Sequence, residues 1–268
     1  MPEEATPDQE EILTNVSSNT LFHFTNEFVK LEGILSNDFC ANYCPEYSIL
    51  DDFSEEGDEL PHSAWPMVSF CDLPIFQIKN HLRDYGYYGV GLTKSWGRAH
   101  GISPVLYMAR DSQSRKSLKT YLGTHHYRNS DDVGEVVKSV DSKLLFQAYI
   151  KLYEGPAWRK GNRIANVKFY DEREWRYVPA KEQLSGASPL LMAQNYQNEV
   201  WLADQTEKLH RIKLTFKPWD IQFLFVKEDN EILTLVDRIK DKMPKYKPND
   251  VTMLTTKIIS WERIKEDF

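Results

Sequence analysis

The order of strand-like and helical segments along this chain limits its fold more than any other feature. Apolar stretches with period-two character at 20–25 (TLFHFT), 66–71 (PMVSFC), 87–93 (YYGVGLT), 104–109 (PVLYMA) and 173–179 (REWRYVP) read as strands. Helical spacing appears in Phe28, Leu31, Ile34 and Leu35, and in Ile75, Ile78, Leu82 and Tyr85, where Gly86 supplies a C-terminal stop. A long helix is expected over 132–154 and a helical stretch over 188–205. Strands at 211–216, 221–227 and 252–259 and a helix at 231–240 follow, with a last short helix at the end. The helices come irregularly, without a βαβ rhythm. The expected fold is therefore α+β, a single domain with a mixed or antiparallel central sheet over 19–268, behind a disordered acidic lead-in over 1–18. No linker, repeat or low-complexity tract divides it.

An apolar content of 41% and a charged content of 27% belong to a globular chain. No apolar run reaches the length of about 20 residues that spans a bilayer, and MPEEATPDQEE is no signal peptide. Three cysteines make no disulfide framework, so a cytoplasmic setting is expected. The net charge of −7 is unevenly spread: residues 1–60 hold fifteen Asp/Glu and one Lys, and the rest is net basic. The acidic segment is either a solvated tail and loop or a face for a basic partner. The overall charge argues against non-specific duplex binding.

Three groups of residues carry candidate chemistry. His23 sits mid-strand, with Leu21 and Thr25 on its face. It is either a hydrogen-bonded structural histidine or a donor to a ligand's ribose or amide. Glu172 and Glu174, two apart at a strand start, point to one face about 7 Å apart. Like charges so placed need a cation or a substrate. Either Arg173 and Arg176 neutralise them, or one stabilises a developing positive charge while the other orients a nucleophile, as glycosyl transfer requires. Tyr85, Tyr87 and Tyr88 are either core residues or stacking platforms. Their glycines do not form a G-x-G-x-x-G fingerprint, so a Rossmann site is excluded. Cys40, Cys44, His62 and Cys71 are too irregularly spaced for zinc, and no metal is expected. Ser95 lacks a G-x-S-x-G elbow.

Several strings together resemble the AbiGi abortive-infection family: His23-Phe24-Thr25, Pro66 to Pro74 (PMVSFCDLP), Tyr85 to Leu92, Trp96-Gly97, Pro104 to Tyr107, and above all Phe169 to Pro179 (FYDEREWRYVP). That family is described as the antitoxin of a phage-resistance pair, which implies a toxin partner. His-x-Thr ahead of Leu31-x-x-Ile34-Leu35, with Glu-x-Glu at a later strand start, is similar to DarT-like ADP-ribosyltransferases. This likeness implies an ADP-ribosyltransferase-like fold and NAD as substrate, with a nucleic acid or protein as acceptor. His23 and Thr25 would hold the ribose or amide, and Tyr87 or Tyr88 would stack on nicotinamide. Glu174 would stabilise the oxocarbenium ion, and Glu172 would orient the acceptor. The basic stretch Lys151, Arg159, Lys160, Arg163 and Lys168 would guide the acceptor or the pyrophosphate. No Ser-Thr-Ser element stands between His23 and Glu174.

Overall fold

The computed structural model describes residues 17–50, 60–123, 141–159 and 162–267. It opens with β1 (Thr20–Thr25), α1 (Phe28–Asn37), β2 (Phe39–Cys40), β3 (Asn42–Glu46) and the long β4 (Ser63–Cys71). A 3-10 turn (Ile75–Gln77) leads into α2 (Lys79–Tyr85), β5 (Tyr88–Thr93), α3 (Lys94–Ala99), β6 (Ser103–Pro104), β7 (Leu106–Met108) and α4 (Gln113–Gly123). Residues 141–147 are helical (α5). After them come β8 (Ile150–Leu152), β9 (Gly155–Arg159) and β10 (Asn162–Val167). A second 3-10 turn (Phe169–Glu172) delivers β11 (Glu174–Tyr177). The C-terminal third holds β12 (Leu191–Met192), α6 (Ala193–Tyr196), α7 (Glu199–His210), β13 (Lys213–Leu214), β14 (Ile221–Val226), α8 (Asn230–Lys242), α9 (Pro248–Thr255), β15 (Ile258–Ser260) and α10 (Trp261–Asp267).

The central sheet runs β15-β14-β5-β1-β4-β11-β6, with β3 and β12 also on β4. Every neighbour is antiparallel except β14 and β15, so the sheet is mixed and the architecture α+β. Strand alternation sorts its side chains onto two faces. Leu21, Phe70, Val90, Leu92 and Leu224 belong to the core that includes Leu31 and Leu35 of α1 and Leu235 and Ile239 of α8. Phe22, Phe24, Cys71 and Phe225 pack with Ile78, Leu82 of α2, and Trp261 and Ile264 of α10. Each of these large side chains contributes roughly 1.5–3 kcal/mol on burial. No described helix is long and apolar enough to cross a membrane.

Several elements differ from expectation. The stretch 94–99 is a helix, not a loop, because the Thr93 hydroxyl accepts the Trp96 N–H at 3.1 Å and caps it. The helix expected over 132–154 ends before 150. There Ile150 and Leu152, two apart and buried, fit one face of a strand parallel to β7. Residues 124–140 lie outside the described residues. The strand expected over 252–259 divides. Pro248 at the first turn and the Asp250 carboxylate on the Lys247 N–H start α9, and only Ile258–Ser260 is extended. The stretch 188–205 splits into β12, α6 and most of α7, and 211–216 shortens to Lys213–Leu214. The lead-in over 1–16 is outside the described residues.

Gly86 ends α2 at φ 110°, ψ 179°, a region essentially restricted to glycine. A Cβ there would lie 2.3 Å from the Thr25 carbonyl oxygen. Gly101 also has positive φ, at 71°, but its Cβ would meet nothing within 4 Å. Gly86→Ala is therefore expected to cost about 3 kcal/mol or more, and Gly101→Ala only about 1. Urea midpoints of the two variants check the ranking.

Candidate functional site

β1 and β4 meet at a single register pair, Phe22 with Cys71, whereas β1 pairs with β5 along its whole length. Beyond that pair, His23 Nδ1 reaches across to the Ser69 carbonyl oxygen at 2.8 Å. On the other side of β4, β11 pairs residue by residue, with Glu174 opposite Cys71 and Arg176 opposite Ser69. A cavity of about 250 Å³ lies at this junction. Its walls include His23, Ser69, Glu46, Tyr85, Lys151, Arg159, Glu172 and Glu174, with Phe22, Phe24 and Phe169 supplying apolar surface.

The junction therefore brings together the two ends of the expected site, His23 and the Glu172/Glu174 pair. It leaves out the other expected residues. Thr25 is buried at the far end of β1, paired with Tyr88, and does not line the cavity. The Tyr88 hydroxyl donates to Glu231 at 2.7 Å, and Tyr87 packs near Trp261 under the Lys265 ammonium. The tyrosine on the cavity is Tyr85, stacked on His81 with ring centroids 4.2 Å apart. Sequence reasoning missed Ser69, His81 and Glu46. Ser69, lone among the apolar residues of PMVSFC, was the visible signal. The others become neighbours only through the fold.

The carboxylates are held by internal cations. Glu174 Oε1 accepts from Ser69 Oγ at 2.8 Å and Arg176 Nε at 2.7 Å. Its Oε2 accepts from Arg176 Nη2 and Lys151 Nζ, both at 2.9 Å. A carboxylate has about four lone-pair positions, so Glu174 is saturated. Glu172 accepts from Tyr85 OH at 2.8 Å, from Arg159, and from Lys151 at 3.0 Å, which leaves one position open. Glu46 completes the network through Arg176 at 2.6 Å and Lys151 at 3.3 Å. Arg176 is wholly buried, and its Nη1 donates to the Ala148 carbonyl at 2.7 Å. The expected neutralisers thus divide: Arg176 pairs with Glu174, while Arg173 turns away to lie over Tyr170. Two members of the expected basic stretch, Lys151 and Arg159, are committed inward to carboxylates, and Lys160 is outside the described residues.

The electrostatics follow from burial and pairing. Burial alone would raise the Glu174 carboxyl, but Arg176 and Lys151 hold it well below the usual carboxylate range. Burial opposes the Lys151 charge, and Glu172, Glu174 and Glu46 more than restore it, so the ammonium persists. Burial lowers His23, outweighing its bond to Ser69, so the ring is neutral. A carbonyl oxygen only accepts, so Nδ1 carries the proton and Nε2 is left as an acceptor. His23 can thus receive a ligand hydroxyl or N–H through Nε2. The expected donor role belongs to Nδ1, which Ser69 already occupies. Cys44, also on the cavity, is pushed up to about 12 by burial and is no nucleophile at neutral pH.

Comparison with known proteins adds an independent line. Residues 37–227, more than half of the chain, match the family model described as "Putative abortive phage resistance protein AbiGi, antitoxin". A protein named abortive phage resistance protein AbiGi, from Lactococcus lactis subsp. cremoris, is 27% identical over 256 residues, covering 86% of this chain and 99% of that relative. No solved structure matches.

Two predictions come from the charge network and its neighbour. Glu174→Gln leaves Arg176 and Lys151 short of a counter-charge in the interior. It should cost about 3–5 kcal/mol, read as a lower urea midpoint. Burial holds His81 down to about 4, against an ordinary 6.5. The unfolded chain takes that proton first, so stability present above pH 6.5 is lost as pH falls toward 4, by up to ~3 kcal/mol. His23 acts in the same direction. His81→Phe keeps the stacked ring and should reduce the fall of the urea midpoint across that window, leaving the part due to His23. An unchanged pH profile would contradict the assignment.

Proposed function

The chain belongs to the AbiGi family of abortive phage resistance proteins, and from that premise we propose that it acts as the antitoxin-type, partner-binding member of an abortive-infection pair. The observation that carries this reading is the state of the carboxylates. Every lone pair of Glu174 is already bonded inside the protein, and the charges of Glu46, Glu172 and Glu174 are matched by Lys151, Arg159 and Arg176. With its charges matched inside the protein, such a network needs no substrate to stabilise it. It ties β3, β8, β9 and β11 into a rigid body that can present a surface to a toxin. On this reading the acidic segment over 46–60 meets a basic face of the partner through its carboxylates. Glu46 itself is excepted, since it faces inward.

A second reading, NAD-dependent ADP-ribosyl transfer to a nucleic-acid or protein acceptor, is favoured by a different observation. His23, Tyr85, Glu172 and Glu174 surround one cavity although about 150 positions separate its ends. Here the Tyr85 ring would stack on nicotinamide and Nε2 of His23 would accept from a ribose hydroxyl. Glu174 would face the oxocarbenium ion once that hydroxyl displaced Ser69 from its carboxylate. Glu172, with its open lone pair, would orient the acceptor.

One pair of measurements separates the readings. In cells making the partner toxin, charge reversal at Asp51, Asp52, Glu55 and Glu56 should abolish protection from the toxin. His23→Ala, outside the ion network, should leave that protection intact. Purified protein should show no thermal shift and release no nicotinamide at millimolar NAD. NAD-dependent nicotinamide release that His23→Ala abolishes would overturn the antitoxin reading in favour of the transferase.

A further inference from the structure

Next to the first cavity lies a second, of about 280 Å³, which opens on the far side of the Arg159–Glu172 pair. Arg173 and Lys168 line it, as does the exposed Gln77. Arg173 differs from every other cation around these cavities. Lys151, Arg159 and Arg176 are bound to buried carboxylates. Arg173 has no carboxylate partner among the described residues. Its guanidinium rests 4.4 Å from the centre of the Tyr170 ring. Tyr170 is itself stacked on Tyr153 at 5.1 Å, so the arginine is seated on an aromatic pair. Its backbone is left-handed, φ 46°, ψ 48°, which costs a non-glycine residue roughly 1–2 kcal/mol. Strained backbone of this kind clusters at sites that bind ligands.

Lys168 is the second donor within reach. It pairs with Asp171 at 3.1 Å, both side chains about half exposed or more, and its ammonium lies 5.7 Å from the centre of the Tyr153 ring. A surface pair of that kind contributes little, so an incoming anion can recruit the ammonium. Asp84, Asp171 and Glu172 also line this cavity, but Asp84 and Glu172 are paired with Arg159, Glu172 with Lys151 and Tyr85 as well, and Asp171 with Lys168, so they repel an entering anion less than free carboxylates would. We propose that this second cavity is a subsite for a phosphate dianion, gripped by the Arg173 fork and completed by Lys168 and the Gln77 amide. Three donors lining one cavity can serve the several oxygens of a tetrahedral dianion, which offers more acceptors than a carboxylate. The site takes a small phosphorylated molecule or a free phosphate, since a chain of net charge −7 does not attract a duplex. This inference depends on neither reading of the first cavity.

The test uses the full chain and calorimetric titration at low salt with 5′-AMP, inorganic phosphate and adenosine. The key variant is Arg173→Gly, which removes the guanidinium and suits the left-handed backbone, so it should be at least as thermally stable as the parent. AMP or phosphate should bind the parent, and binding should weaken at least tenfold in Arg173→Gly and less in Arg173→Lys. Tighter binding of AMP than of phosphate assigns the site to a phosphate monoester, and equal binding assigns it to the free ion. Adenosine binding as tightly as AMP, unchanged affinity in Arg173→Gly, or no binding of either anion would each overturn the proposal.

Discussion

The contact on which the rest of the site depends is the one between Glu174 and Arg176. They lie two apart on β11, on one face, and the guanidinium grips both carboxylate oxygens of its near neighbour. Alternation alone would create this pair anywhere, but here it is closed to solvent, with Arg176 wholly buried. Charges taken out of water need every hydrogen bond filled, and the fold fills them from distant places: Ser69 from β4, Lys151 from β8, Glu46 from β3 and the Ala148 carbonyl. The price of an unfilled position is what ties these elements to one another.

The same network governs what the cavity can hold. Its wall carries three carboxylates, Glu46, Glu172 and Glu174, against Lys151 and Arg159, and the buried Arg176 behind them supplies the third cation, so the pocket has no strong bias toward a charged guest. Selection there falls to ring surfaces and to single open positions such as the bare nitrogen of His23 and the remaining lone pair of Glu172. The neighbouring pocket is different in kind, because Arg173 brings a cation with no carboxylate partner among the described residues.

Much of the framework was legible from residue patterns. β1, the core of β4, β5, β11 and β14 all show their alternation or apolar runs, and Gly86 marks the end of α2. The mixed α+β class followed from their irregular order. Where pattern and structure part, the competing force is visible. Ile150 and Leu152 satisfy helical and strand spacing alike, and only the proximity of β7 decides between them. In 252–259 the proline and the aspartate cap outweigh the β-branched residues. For the site, His23, Glu172 and Glu174 were readable because polar residues in apolar strands stand out. The choice among three adjacent tyrosines was not, since it depends on whether each ring follows α2 or β5. Tyr85 closes the helix toward the cavity, while Tyr87 and Tyr88 go with the strand and its packing. Glu46 gave no local sign, because it sits in an acidic run whose other members fall in 51–59 and its own distinction is a partner 130 residues away.

β4 has a consequence for how the chain is made. Nine residues long, it receives β1 from upstream, β3 from close by, and β11 and β12 from more than a hundred positions downstream. A ribosome delivers those partners in order. Between the emergence of Cys71 and that of Tyr177, β4 is therefore an apolar ribbon with one flank open to any extended peptide nearby. The interval of greatest risk to this protein lies in its synthesis, before the strand that bears Glu174 arrives to close the flank.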